Sequence, residues 1–242
     1  MLKKLKKLYT QEQFNPKILG LFINPFYFAR KGLYKDVSEL IPHLKGKLLD
    51  IGCGTKPYQS MCNVDEYIGL EIDDEGNRNH SFADIFYDGN KIPFDDNFFD
   101  SILSNQVFEH VFNPSEFLRE INRVTKIGGL FLITVPFVWD EHEQPYDYAR
   151  YSSFGLKHIL SENGFEIVEH RKSNNGLEII FQLINAYIFK VTFTERVSIN
   201  LVFTLILMSP INIIGSILSK ILPKNNDLYL DNIVLAKKVR CV

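Results

Sequence analysis

Residues 48–55, LLDIGCGT, constrain this chain more than any other stretch. A short apolar run closes in Asp50 and then breaks into Gly52 and Gly54, a pattern that reads as a buried strand turning tightly beneath a ligand. Glycine at both places lets backbone N–H groups approach a bound molecule closely. A second apolar stretch, residues 67–70, ends in Glu71 about 20 residues after the first glycine. That is where a nucleotide-binding α/β unit sets an acid against ribose hydroxyls. Asp50, Gly52, Cys53, Gly54 and Glu71 are therefore candidates for holding a nucleoside. A dinucleotide fold wants a third glycine so that a pyrophosphate sits on a helix N-terminus, yet Thr55, Lys56, Pro57 and Tyr58 follow Gly54. An NAD(P)-dependent oxidoreductase is the alternative, weakened further because no Tyr-x-x-x-Lys pair stands in a suitable place.

With an acid before G-x-G, the stretch resembles the first motif of class I S-adenosylmethionine-dependent methyltransferases, closest to the bacterial small-molecule group. The segment KIPFDDNFFD, residues 91–100, is similar to the family's lead into its fourth strand. The resemblance implies an α/β fold: a Rossmann-like, doubly wound, seven-stranded and mostly parallel sheet with an antiparallel last strand. It implies S-adenosyl-L-methionine as cofactor and methyl transfer to an oxygen or nitrogen. Residues 82–85, FADI, are expected to end the third strand. The family pattern then puts Asp84, with Ile85 beside it, against the adenine amino group, whose in-plane donors suit a carboxylate. Asn105 and Gln106 fall at the carboxyl end of the fourth strand, beside the methionine part of the cofactor. Glu109 and His110 follow, either facing substrate or satisfied structurally.

After a fifth strand at residues 130–136 comes PFVWDEHEQPYDYARYSSFGL, far longer than an ordinary connection. Long polar and aromatic loops at strand ends tend to carry function. The loop resembles a methyltransferase subgroup associated with surface-polysaccharide and lipid-linked sugar biosynthesis. His142 is the candidate general base, because imidazole titrates near neutrality. Asp147 is a candidate to orient it, Arg150 to hold an anionic group, and Tyr146 and Tyr148 to stack on a sugar face.

The net charge of −2 gives no basic field for nucleic acid, which leaves a small or lipid-linked acceptor. Three cysteines without metal spacing point to a reducing compartment and to no metal site. The cytoplasm is the expected location, with the inner face of the membrane as an option. The expected organisation is a helical lead-in at 1–45 covering the cofactor, a core at 46–172 and 228–242, and an apolar insertion at 173–227. The lead-in opens with the basic MLKKLKKLYT. In the insertion, Leu177, Ile180, Phe181, Ile184, Tyr187, Ile188 and Val191 recur at helical spacing, with Glu178, Gln182, Asn185 and Lys190 off that face. Residues 197–219 carry no charge, long enough for a membrane span. A single crossing would strand the last strand on the far side, and Pro210 suggests two shorter helices in a hairpin. The hairpin packs on the domain, joins a second copy in a homodimer, or makes peripheral membrane contact through 177–222. A non-catalytic membrane-associated assembly protein that keeps the fold is the remaining alternative.

Overall fold

The computed structural model describes residues 2–242, with side chains from Lys6 onward, so Lys3 and Lys4 of the basic opening segment lie outside the described side chains. In chain order the main elements are α1 (Leu2–Phe14), α2 (Gly20–Ile23), α3 (Tyr27–Leu40), β1 (Lys47–Ile51), β2 (Glu66–Ile72), α4 (Glu75–His80), β3 (Ile85–Tyr87) and β4 (Phe99–Asn105). They continue as α5 (Pro114–Val124), β5 (Thr125–Pro136), α6 (Ser153–Glu162), β6 (Phe165–Lys172), α7 (Leu177–Thr192), α8 (Val197–Phe203), α9 (Ser209–Ile221) and β7 (Asp231–Lys238). Contacts divide the chain into two compact units, Val37–Arg171 with Asn232–Val242, and Met1–Asp36 with Lys172–Asp231.

The first unit is built on the seven-stranded sheet, ordered β3-β2-β1-β4-β5-β7-β6. β1 pairs in parallel with β2 and β4, and β2–β3 and β4–β5 are parallel as well. β7 is the antiparallel member, as the Val239 N–H to Gly164 carbonyl bond of 3.0 Å at the far end of β6 attests. Leu49, Ile51, Ile102, Phe131 and Ile133 are fully enclosed, and Leu118, Ile121, Leu156 and Leu160 from α5 and α6 close on them. Apolar runs buried on both faces are what a parallel sheet demands.

α5 ends at Val124, because Thr125 already enters β5. Gly128 and Gly129 are absorbed where the β4–β5 register jumps between Phe99 and Ser101. β3 begins at Ile85, where it was expected to end. Phe82 is 68% exposed, so the apolar look of FADI did not signal burial.

Lys238 is the other notable member of this unit. Its ammonium is buried, and it donates to Asn97 Oδ1 (3.0 Å) and to the carbonyls of Asn122 and Thr125 (both 2.7 Å). All three donors are used, and the last carbonyls of α5 gain a cation where the helix dipole favours one.

In the second unit, α1, α2 and the first part of α3 pack with the insertion. α8 and α9 do not form the expected hairpin at Pro210: a π-helical turn at Thr204–Met208 joins them, and the backbone stays helical throughout. A wider turn just before Pro210 removes the clash between its ring and the carbonyl four residues back, which would otherwise break the helix. The reversal lies instead at residues 193–196, so α7 and the long helix run antiparallel.

The buried face of this hairpin mixes Ile179, Ala186 and Met208 with enclosed polar side chains. Gln182 and Asn185 are fully enclosed, whereas Tyr187 is 70% and Ile221 71% exposed. Gln182 accepts from the Ala29 N–H (3.1 Å) and donates to the Pro25 carbonyl (3.1 Å). Asn185 donates to Asn212 Oδ1 (2.8 Å), and Asn212 donates to the carbonyls of Leu21 and Asn24. Gly215 lets Phe181 and Phe28 approach the long helix closely. Of the apolar stripe read from the sequence, Ile180, Ile184, Tyr187 and Val191 face outward, whereas Phe181 packs against the long helix.

Candidate functional site

The glycine turn is stitched to β2 by the N–H groups of Gly52 and Cys53, which donate to the Leu70 carbonyl at 2.9 and 3.3 Å. Gly52 has φ +69°, and a Cβ there would lie 2.3 Å from Val107 Cγ2. Gly54, at φ +47°, has nothing within 4 Å of the place a Cβ would take, so the turn opens onto free space. The Gly54 N–H donates to Glu71 Oε2 (3.0 Å), and the Ile72 N–H reaches Glu71 Oε1 (3.2 Å). Burial raises the Glu71 carboxyl above its usual range, and those two N–H groups hold it back. Asp50 is enclosed, and burial pushes it up to about 7, with the Tyr67 hydroxyl donating to Oδ2 and opposing the rise. Cys53 packs under Gly69, and burial pushes its thiol up to about 12.

The assignment of Asp84 to the adenine amino group is corrected by its surroundings. Because β3 starts after it, Asp84 lies at the amino end of the strand, whereas ligands of open α/β sheets sit beyond carboxyl ends. Its Oδ2 accepts the Gly69 N–H (2.7 Å) and pairs with the Lys56 ammonium. Burial opposes ionisation, but those two partners outweigh it and hold the carboxyl below its ordinary value. Ile85 is likewise a half-buried residue opening β3, paired with Leu70. At the carboxyl end stands Asp88, exposed, its carboxylate held low by the Asn90 backbone N–H and side chain. The signal for it was present: residues 85–89, IFYDG, repeat the order of apolar run, acid and glycine seen at β1.

β4 carries Asn105 and Gln106 to its carboxyl end. Thr134 Oγ1 on the neighbouring β5 donates to Asn105 Oδ1 (2.9 Å) and accepts from the Gln106 N–H (3.1 Å). Gln106 takes a left-handed backbone, φ +56°, which turns the chain into a short 3-10 turn at Phe108–His110.

The long loop folds back onto that turn through the N–H groups of Tyr148 and Ala149, which donate to the Glu109 carbonyl at 2.9 and 3.2 Å. His142 and Asp147 come together: Asp147 Oδ2 lies 3.2 Å from His142 Nδ1 and accepts the His142 backbone N–H at 2.9 Å. Arg150 forks onto the same carboxylate, Nη1 to Oδ1 at 2.5 Å and Nη2 to Oδ2 at 2.7 Å, and holds Asp147 well below the carboxylate range. Arg150, expected to hold an anionic acceptor group, is paired with Asp147 and also donates to the Ala149 and Asp140 carbonyls. Tyr146 and Tyr148 are 63% and 44% exposed, Tyr148 meeting Phe112 edge-on at 5.2 Å. His110 Nδ1 lies 2.8 Å from the Tyr146 carbonyl, and its ring meets that of His142 edge-on, centroids 4.9 Å apart. A recess of about 190 Å³ beside them is lined by Trp139, Glu141, Asp147, Tyr148 and Arg150.

Comparison with known proteins places this arrangement. Residues 49–133 match the family model of the methyltransferase domain. A relative of uncharacterized function from Methanocaldococcus jannaschii is 33% identical over 108 residues, 43% of this chain and 52% of the relative. The chain spans between half and two thirds of the length of the curated relatives it matches. A SAM-dependent methyltransferase from Archaeoglobus fulgidus superposes with a TM-score of 0.55 at 18% identity, covering 96% of this chain and 99% of that one. Haemonchus contortus phosphoethanolamine N-methyltransferase 2, solved with S-adenosyl-L-methionine, gives 0.53 at 16% identity, covering 95% and 59%. At these identities the structural likeness establishes the fold.

Proposed function

We propose that this chain, whose residues 49–133 form a class I S-adenosylmethionine-dependent methyltransferase domain, moves the cofactor's methyl group onto a hydroxyl or amine of a small, lipid-linked acceptor such as a glycan intermediate. The observation that carries the transfer is the glycine turn tied to Glu71 with open space in front of Gly54. When bound there, the cofactor supplies an activated methyl: the acceptor lone pair forms the new bond to carbon while the carbon–sulfur pair stays on sulfur. Glu71 takes the ribose hydroxyls, Asp88 is the acid set for the adenine edge, and Asp50 with Asn105 and Gln106 borders the amino-acid part. The protein's share is alignment and exclusion of water. With Nδ1 of His142 turned to the Asp140 carbonyl (3.3 Å) and beside the Asp147 carboxylate, the Nε2 lone pair is the one to accept the acceptor's proton.

Calorimetric titration with S-adenosylhomocysteine, with NAD as rival and Glu71→Ala as control, tests the cofactor. Micromolar binding lost in the variant supports the reading, and a preference for NAD returns the chain to the oxidoreductase alternative. His142→Ala should lower turnover by about 10²- to 10⁴-fold with nearly unchanged cofactor affinity. A loss of cofactor affinity in that variant would take His142 out of the catalytic role.

The lipid-linked acceptor is supported by the second unit. Within the 25-residue stretch Val197–Ile221 the most apolar 18-residue window has mean hydropathy 2.2 and is only 28% buried, while Asn212 is turned inward and bonded. That inversion, polar and small residues between helices and apolar ones outside, is how helices pack in lipid. Glu195 and Arg196 at the reversal are exposed charges that do not enter hydrocarbon, so the hairpin lies along a membrane surface on the cytoplasmic side. Vesicle co-sedimentation should retain the wild-type chain and release Ile217→Glu with cofactor binding intact. Wild-type protein left in the supernatant would remove the membrane from the reading.

A further inference from the structure

The long loop brings His142 against the turn after β4, and three side chains with metal-ligand chemistry converge there although 32 residues of sequence separate the two histidines. Their donor atoms, one each from Glu109, His110 and His142, all lie within 4.8 Å of one another. We infer that Glu109, His110 and His142 bind one divalent transition-metal ion, for which zinc is the fitting occupant. The expectation of no metal rested on cysteine spacing, which says nothing about this set.

The orientation of the rings makes the case. His110 directs Nδ1 at the Tyr146 carbonyl (2.8 Å), and His142 Nδ1 lies 3.3 Å from the Asp140 carbonyl, 3.2 Å from Asp147 Oδ2 and 3.4 Å from Arg150 Nη2. In the tautomer that places Nδ1–H on these oxygens, the Nε2 lone pairs are left as donors. An oxygen partner on the second nitrogen is the arrangement that fixes the tautomer and raises the basicity of metal-bound histidine. His110 Nε2 is 3.8 Å from Glu109 Oε1. Glu109 is fully buried, where a carboxylate needs positive charge nearby; Arg150 supplies part of it. Two imidazoles and one carboxylate are a ligand set of catalytic zinc, which keeps a further position open. Bonds of ~2.0–2.1 Å put tetrahedral donors about 3.3 Å apart, so rotation of the side chains by about 1 Å closes the set.

The use of the ion rests on the methyl-transfer reading, but its binding does not. An acceptor hydroxyl on the open position loses its proton to water more readily than a free one, because the cation stabilises the alkoxide. In the loaded protein the ion thus takes over the task assigned above to Nε2 of His142, which becomes a ligand.

The test is uptake of Co2+ by the purified, chelator-treated full chain, read from its visible absorption and by competition with Zn2+. The expected result is one equivalent with the intense bands of a four- or five-coordinate ion. Affinity should fall at least about 100-fold in Glu109→Gln, His110→Gln and His142→Gln, and about 10- to 100-fold in Asp147→Asn. Glu71→Ala should lose S-adenosylhomocysteine binding and keep Co2+ uptake, which separates failure of the metal site from failure of the cofactor site. Far-UV circular dichroism reports whether each variant folds, and His142→Ala, on the half-exposed loop, serves as a further ligand deletion. No stoichiometric uptake by the wild type, or equal uptake by folded ligand variants, overturns the proposal.

Discussion

Asp50→Asn isolates the electrostatic tension beneath the glycine turn. Asp50 is 3% exposed and its carboxyl is pushed up to about 7 from 3.8, mainly by burial. The folded-state value is raised, so ionisation does not disfavour folding below about pH 4, where folded and unfolded chains both keep the proton. Between about pH 4 and 7 the unfolded chain releases a proton that the folded chain holds, and stability falls by about 1.4 kcal/mol per pH unit before levelling off. From pH 5 to 8 the loss comes to about 2.5 kcal/mol. Asparagine has nearly the same volume, still accepts the Tyr67 hydroxyl bond, and does not titrate. The variant's unfolding free energy in urea, relative to wild type, should therefore rise by about 2–3 kcal/mol over that interval, about 5–10 °C in Tm. A difference between the two proteins that stays constant from pH 5 to 8 would refute the assignment of the charge penalty to Asp50.

The two glycines of the turn should behave differently. Gly52→Ala meets Val107 and should destabilise the fold by about 2–4 kcal/mol in denaturant titration. Gly54→Ala costs about 1–2 kcal/mol for its backbone alone, yet its methyl enters the open space and should abolish S-adenosylhomocysteine binding in calorimetry. Lys238→Met removes three buried hydrogen bonds, to Asn97 Oδ1 and the Asn122 and Thr125 carbonyls, an expected loss of about 2–4 kcal/mol in the same titration.

The sheet, with the glycine turn and Glu71 at the ends of neighbouring strands, was legible because apolar runs ended by acids and glycines are local signals of parallel strands and their carboxyl ends. Asp84 was misplaced because FADI looks like a strand but is an exposed lead-in, and only the pairing of Ile85 with Leu70 shows where β3 starts. The stripe on α7 was read correctly as a stripe, but periodicity does not say which side faces protein; Gln182 and Asn185 find their partners in α3, in the segment before it and in the long helix. The approach of His110 to His142 had no sequence signal, since it depends on a loop folding back. Pro210 broke no helix because a π turn, set by packing, made room for its ring.

β7 is made after β6, yet it lies inside the sheet between β5 and β6. About 60 residues separate the end of β6 from the start of β7. At ~5–20 residues per second, the ribosome needs about 3–12 s to supply them. During that interval the side of β5 that β7 will occupy is an open edge. An unpaired strand edge is a template for other chains, so the order of synthesis makes the helical insertion a delay during which the sheet must avoid foreign pairing.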